Sequence, residues 1–238
     1  MGEKTNMEKP IETLIKSNKK KAEDRWYPTP VDNFRNGFIA MSSEVEGYHP
    51  LVDNLAYNLQ YIQFLDKEMK ELKELELSSV LYTMLVKTYV ITGIGIIEGI
   101  FSYVIKTNGW WKTNDEEVVL NSTSQQQSNK GDTLVVRVEI SRKIAPYKDK
   151  MTFDEMLKCL KHHHKALSVD HLLYPQLDRI RDLRNRVHLQ KGEGEKDHDY
   201  NAFDYSTKEE MQRILYNILC SPKVTDQRVL HNYDFLKP

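Results

Sequence analysis

One stretch dictates what the rest of the chain must do. From Val80 to Ile105 the sequence reads VLYTMLVKTYVITGIGIIEGIFSYVI, interrupted only by the charges of Lys87 and Glu98. The uncharged run between those two residues is far shorter than the roughly 20 residues a bilayer demands. The expectation is therefore a buried helix, apolar nearly all round, at the centre of a bundle or in a subunit interface. Ser78 and Ser79 are its candidate N-caps and Asn108-Gly109 its stop. Gly93, Gly95 and Gly99 lie along it. Each costs a helix about 1 kcal/mol relative to Ala, and close approach of neighbouring helices is the expected return.

The flanking segments supply the other helices of that bundle. Val52, Leu55, Leu59, Ile62, Leu65, Met69 and Leu72 recur at spacings of three and four after Pro50, with Asp66, Lys67, Lys70, Glu71 and Lys73 on the opposite face. Thr152 with Glu155 makes a capping box for a helix that carries Met156, Leu157, Leu160 and the run His162-His163-His164. A further helix follows Pro175 and ends near Gln190. Thr207 with Glu210 reads as the capping box of a last helix, stopped by Pro222.

Between Gly109 and Lys150 the texture changes. Glu117 to Asn121 is a short strand, residues 122–132 are a polar Ser/Gln loop, and Thr133 to Ser141 alternates, with Leu134, Val136, Val138 and Ile140 facing away from Arg137 and Glu139. Residues 110–145 thus read as a β-hairpin inserted between helices, with Trp110 and Trp111 packing where it joins the bundle. The predicted organisation is an N-terminal arm and irregular lead-in over 1–50, a helical bundle over 51–220 containing the 110–145 hairpin, and a tail over 221–238 in which Tyr233 and Phe235 can dock. The fold class is mainly α.

The helix after Pro175 carries the chemistry-bearing residues. At roughly 100° per residue its side chains separate into stripes. Leu173, Leu177, Ile180, Leu183 and Val187 form the core stripe; Arg179, Asp182 and Arg186 form the solvated one. Arg181, Arg184, Asn185 and His188 lie between them. Arginine offers a planar, permanently charged fork that fits phosphate oxygens, and histidine moves a proton near neutral pH. Such a set could cleave RNA without a metal: His188 would handle the 2′-hydroxyl or leaving-oxygen proton, and the arginines would stabilise the phosphorane. The competing description is an Arg-rich helix flank that forms salt bridges with Asp178 or Asp182.

The run Leu-Arg-Asn-Arg-Val-His-Leu from Leu183 to Leu189, on the penultimate helix of a helical domain, resembles the signature of the HEPN superfamily. That signature is Arg, four to six residues, then His, often with a polar residue directly after the Arg. Here Arg181 and His188 are separated by six residues and Arg184 and His188 by three. The Arg184-Asn185 pair matches the usual start of the motif at compact spacing. The resemblance covers residues 51–109 and 152–220 and implies a HEPN-like up-and-down helical bundle, the hairpin being an addition to it. It implies His188, Arg184 and Asn185 as catalytic residues first and Arg181 second. Glu98 joins them as the polar residue that some members place on an earlier core helix. A carboxylate in an apolar segment needs a partner, and Arg181, Arg184 and His188 are the choices, unless Glu98 merely sits at the helix surface. The implied activity is metal-independent endoribonuclease cleavage by a homodimer, in a toxin or phage-defence setting, with a nucleotidyltransferase-type antitoxin as neutralising partner. The alternative within the resemblance is a non-catalytic module that binds nucleotide, RNA or protein.

Composition narrows the remaining classes. Net charge is −1, so any surface for RNA has to be local. Two cysteines, Cys159 and Cys220, make no disulfide framework. No secretory h-region opens the chain, and position 6 is Asn6 where a myristoylation signal wants Ser or Thr; a cytoplasmic protein without membrane attachment is expected. Lys19, Lys20 and Lys21 read as part of a solvated arm. The three adjacent histidines diverge around a helix and no second ligand pair follows, so no metal is expected. Gly93 to Gly99 is not spaced as a dinucleotide fingerprint, and no cofactor is expected.

Overall fold

The computed structural model describes residues 26–38, 44–45, 47–74, 80–128, 130–185 and 198–238. In chain order its elements are α1 (Val31–Gly37), α2 (Tyr48–Glu74), α3 (Val80–Thr107), β1 (Thr113–Gln127), β2 (Thr133–Lys148), α4 (Phe153–His162), α5 (Leu173–Asn185), α6 (Asp199–Ala202) and α7 (Tyr205–Leu219). Short 3-10 segments cover His164–Ala166 and Gln227–Leu236. The protein is mainly helical, with one two-stranded antiparallel sheet.

The apolar stretch becomes the hub. α3 touches α2, α4, α5, α6 and α7. By length and composition it could also cross a membrane, but here it is the central helix of the bundle, and both of its interrupting charges are paired. Lys87 is buried, with its Nζ 2.8 Å from Asp199 and over the Phe203 ring; Glu98 meets Arg184. The glycines divide the work. A Cβ on Gly93 would lie 2.7 Å from Met211 Sδ, so this position lets α7 in close. One on Gly99 would lie 3.1 Å from Leu51 Cδ1, on α2. Gly95 is exposed, with nothing within 4 Å of such a Cβ, so close approach does not account for it.

α2 buries Val52, Leu55, Leu59, Ile62, Leu65 and Met69 of the residues its period selects, while Leu72, the last of them, is only partly covered. Asp66, expected on the solvated face, is instead buried. Its Oδ1 lies 2.5 Å from Lys208 Nζ and its Oδ2 2.7 Å from Lys70 Nζ. Lys208 reaches it from α7, where it also donates to Gln212 Oε1 at 2.6 Å. The fully buried Tyr89 ring lies beneath this pair.

The capping box of Thr152 and Glu155 opens α4. That of Thr207 and Glu210 is displaced by one turn. Asp204 is the N-cap, accepting from Thr207 N, while the Thr207 hydroxyl donates to Ala202 O and both Thr207 and Glu210 are buried inside the helix. α4 ends at His162, so His163 and His164 lie beyond it. Ser78, Ser79 and the basic arm at Lys19–Lys21 lie outside the described residues.

The hairpin is longer than its apolar core suggests. Residues 122–127, read from sequence as loop, are strand: Ser122 pairs with Val138, Ser124 with Val136 and Gln127 with Thr133. Serine and glutamine have weak strand preference, and the Leu/Val-rich partner strand sets their conformation through the ladder. The strands join through a short turn in which Ser128 N–H donates to Asp132 O at 2.8 Å and Gly131 takes a φ of +85°. Trp111 anchors the hairpin base by donating to Asp149 O at 2.8 Å, and Trp110 stacks on His163 with ring centroids 3.7 Å apart. At the other end of the fold, Tyr233 is buried and Phe235 packs against Phe34 of α1.

Candidate functional site

α5 presents three stripes. Leu177, Ile180 and Leu183 are buried against the bundle. Arg179 is drawn to α7, with Nη1 3.0 Å from Glu210 Oε2 and Nη2 3.4 Å from the Thr207 hydroxyl. The remaining stripe brings Arg181, Arg184 and Asn185 to one side of the helix near its last turn.

Arg184 and Glu98 form the contact between this stripe and the hub helix. The Arg184 Nη2 donates to both Glu98 carboxylate oxygens, at 3.3 and 3.1 Å. Glu98 lies between apolar turns of α3, where a carboxylate without a cation would be costly. The pair is not sealed: the Arg184 side chain is 44% exposed and Glu98 27%. A guanidinium has five donors, so Arg184 keeps donor capacity on its open side. Asn185 is exposed and ends the described part of α5.

Arg181 is held differently. Its Nη1 donates to Asp154 of α4, its Nε and Nη2 reach Asp182 Oδ1 at 3.2 and 3.0 Å, and Asp178 Oδ1 lies 3.8 Å away. Asp182, then Asp154, hold its guanidinium more firmly protonated than usual. Asp154 in turn sits below the ordinary carboxylate range, first through Lys158 and then through Arg181. Lys161 closes the set on Asp178 at 2.6 Å. Three carboxylates thus share Arg181, which fixes α4 against α5 and leaves little of that guanidinium for a ligand.

Of the residues singled out from sequence, the structure brings Arg184 to Glu98 and sets Asn185 beside Arg184 along the chain. Arg181 is turned to the α4 side, and His188 lies outside the described residues. Asp154 was not legible as part of this cluster, because only the packing of α4 against α5 brings it to Arg181. The histidine run stays apart: His163 stacks on Trp110, and His164 faces His171 with ring centroids 4.6 Å apart. Among the described residues no group of three or more His, Cys, Asp or Glu side chains is placed to hold a metal ion. Comparison with protein-family models, with curated proteins and with solved structures finds no match.

Proposed function

We propose that the chain is a HEPN-type, metal-independent endoribonuclease built on an up-and-down bundle and acting as a homodimer. The observation that carries the reading is the half-open Arg184 guanidinium, oriented by Glu98 at 3.1 Å and followed by the exposed Asn185. A carboxylate that takes one terminal nitrogen of a guanidinium restrains it while leaving the donors of the other nitrogens for a phosphate. In this reading Glu98 is a positioning residue and Arg184 stabilises charge on the phosphorane. Asn185 steadies a phosphate oxygen. His188, three positions on, moves the 2′-hydroxyl or 5′-oxygen proton. The 2′-oxygen attacks phosphorus, the P–O5′ bond breaks, and the products are a 2′,3′-cyclic phosphate and a free 5′-hydroxyl. A toxin or defence role with a nucleotidyltransferase-type antitoxin follows from the resemblance alone.

A second reading has its own observation. Asp154, Asp178, Asp182 and Glu98 crowd the same stretch of surface and engage both arginines. With Lys158 and Lys161 also committed to Asp154 and Asp178, these carboxylates leave the cluster without the excess positive charge that draws a polyanion, which favours a non-catalytic HEPN-like binding and dimerisation module. Cleavage of RNA in EDTA separates the two. The nuclease reading expects products ending in cyclic phosphate from the unsubstituted chain, lost in His188→Ala and Arg184→Ala. Equal traces in all three preparations are contamination and leave the binding module standing.

A further inference from the structure

The hairpin is unused by the site above and offers a surface of its own. Almost every residue of β1 and β2 is exposed; Asn114 and Ile144 are the partly covered exceptions. A two-stranded ribbon alone is at best marginally stable in water. The register places Leu120 opposite Ile140, Ser122 opposite Val138, Ser124 opposite Val136 and Gln126 opposite Leu134, so these eight share a face. On β2 that face is a strip of Leu134, Val136, Val138 and Ile140, each 41–51% exposed.

The two outer edges differ. β1 is interrupted at Val119, where the register shifts between Val118 and Leu120, and it carries Glu116 and Glu117. A bulge of this kind blunts a strand edge against pairing, and it is the bulge that separates the two strands, since β2 carries charges as well, at Arg137, Glu139, Arg142 and Lys143. β2 runs from Thr133 to Lys143 without skipping a residue in the ladder, and Pro146 lies beyond that stretch.

We propose that the outer edge of β2 pairs antiparallel with the same edge of a second copy, about a two-fold axis at Val138, making one four-stranded sheet. What selects a second copy is the charge pattern. Arg137 and Glu139 flank Val138, so in this register each Arg137 lies opposite the other copy's Glu139, twice by symmetry. Val136 lies opposite Ile140, also twice, and the two apolar strips join on one face. Moving the axis to Arg137 or to Glu139 would set like charges directly opposite, which is unfavourable. Main-chain pairing supplies affinity and the cross-strand pairs fix the register. This contact uses the hairpin edge and not the arginine stripe, so it is a second self-contact, separate from the homodimer of the nuclease reading.

The test is the solution mass of the full chain over a concentration series, with paired charge variants. Within one hairpin Arg137 faces Thr123 and Glu139 faces Asn121, so reversing either charge creates no like-charge pair inside a copy. Arg137→Glu or Glu139→Arg is expected to weaken self-association by roughly tenfold or more. Arg137→Glu combined with Glu139→Arg is expected to restore it. Val138→Cys, on the axis, is expected to form a disulfide-linked dimer under mild oxidation, because facing Cβ atoms in such a pair come within reach of a bridge. Val135→Cys is expected to stay at the level of the unsubstituted chain, whose cysteines are Cys159 and Cys220. A chain that remains monomeric overturns the proposal, and the homodimer of the nuclease reading with it, and leaves the edge to a strand of other sequence. Self-association that ignores the single reversals, or that the double exchange does not restore, overturns it by placing the contact on another surface.

Discussion

Replacing each α3 glycine by alanine tests how the hub helix is covered, because the three positions share one helix and differ in what surrounds them. In a helix interior Gly→Ala gains about 1 kcal/mol from backbone propensity alone. At Gly95 nothing lies within 4 Å of the added Cβ, so the full gain is expected. For a chain of this size about 1 kcal/mol corresponds to a rise of roughly 2–4 °C in Tm. At Gly93 the Cβ would meet Met211 Sδ at 2.7 Å, Met211 Cγ at 3.0 Å and Leu215 Cδ1 at 3.3 Å. Overpacking of this kind costs about 1–3 kcal/mol, which offsets the propensity gain and leaves a net loss of up to about 2 kcal/mol. Gly99 is intermediate, since Leu51 Cδ1 at 3.1 Å and Leu55 Cδ2 at 3.3 Å are side-chain ends that can give a little. The expected order of Tm, measured by far-ultraviolet circular dichroism at low protein concentration, is Gly95→Ala above the unsubstituted chain, Gly99→Ala near it, Gly93→Ala below it. A Gly95→Ala variant that melts below the unsubstituted chain refutes the reasoning. It would mean that the strip of α3 one turn before Glu98 is covered in solution.

Two further outcomes follow from charges that the fold commits. Lys208→Met leaves the buried Asp66 carboxylate with only Lys70; a loss of about 3 kcal/mol in urea unfolding is expected, toward the low end for an orphaned buried charge because Lys70 remains. Asp66→Leu combined with Lys208→Met should recover most of that loss, and a double variant as unstable as the single one would show that the pair does not act as a unit. Glu155 is held at about 2 by the Thr152 N–H, Lys112 and the Thr152 hydroxyl. Its folded value lies below its unfolded one, so its contribution is present above about pH 4.5 and is lost as pH falls toward about 2. Glu155→Gln keeps a side chain suited to the capping box, and a Tm series in acid should show a shallower decline over that window than in the unsubstituted chain.

Local pattern carried the helices whose burial is one-sided or complete. The three-four period of α2 names its buried apolar residues from Val52 to Met69, and the all-round apolarity of α3 places it at the centre. Asp66 shows where a period stops being informative. Its partner Lys208 is on another helix, and no local rule turns a carboxylate inward for a distant lysine. The α7 cap shows a different limit: Asp204 and Thr207 are both good capping residues, and the Thr207–Glu210 spacing favoured the wrong one by a single turn. In the hairpin, Ser122 to Gln127 take strand geometry from their neighbours across the ladder, so their own composition misleads. The candidate site divides the same way. A lone Glu98 in an apolar helix raised a cationic partner as one of two readings, the other being a carboxylate at the helix surface, whereas the engagement of Arg181 by Asp154 depends on how α4 lies along α5.

The closure of the tail on α1 also has a consequence for the order of assembly. Asn232 Nδ2 donates to Asn33 O across a separation of 199 residues, and Phe34 packs between Tyr233 and Phe235. A loop of that length is among the entropically costliest to close. α1 is only a seven-residue helix; Arg35 ties it to Asp53 and Tyr57 of α2, and the cover over its Phe34 comes when the far end of the polypeptide arrives. The lead-in helix is thus expected to be among the last parts to gain protection from amide exchange, even though it is the first helix along the described chain.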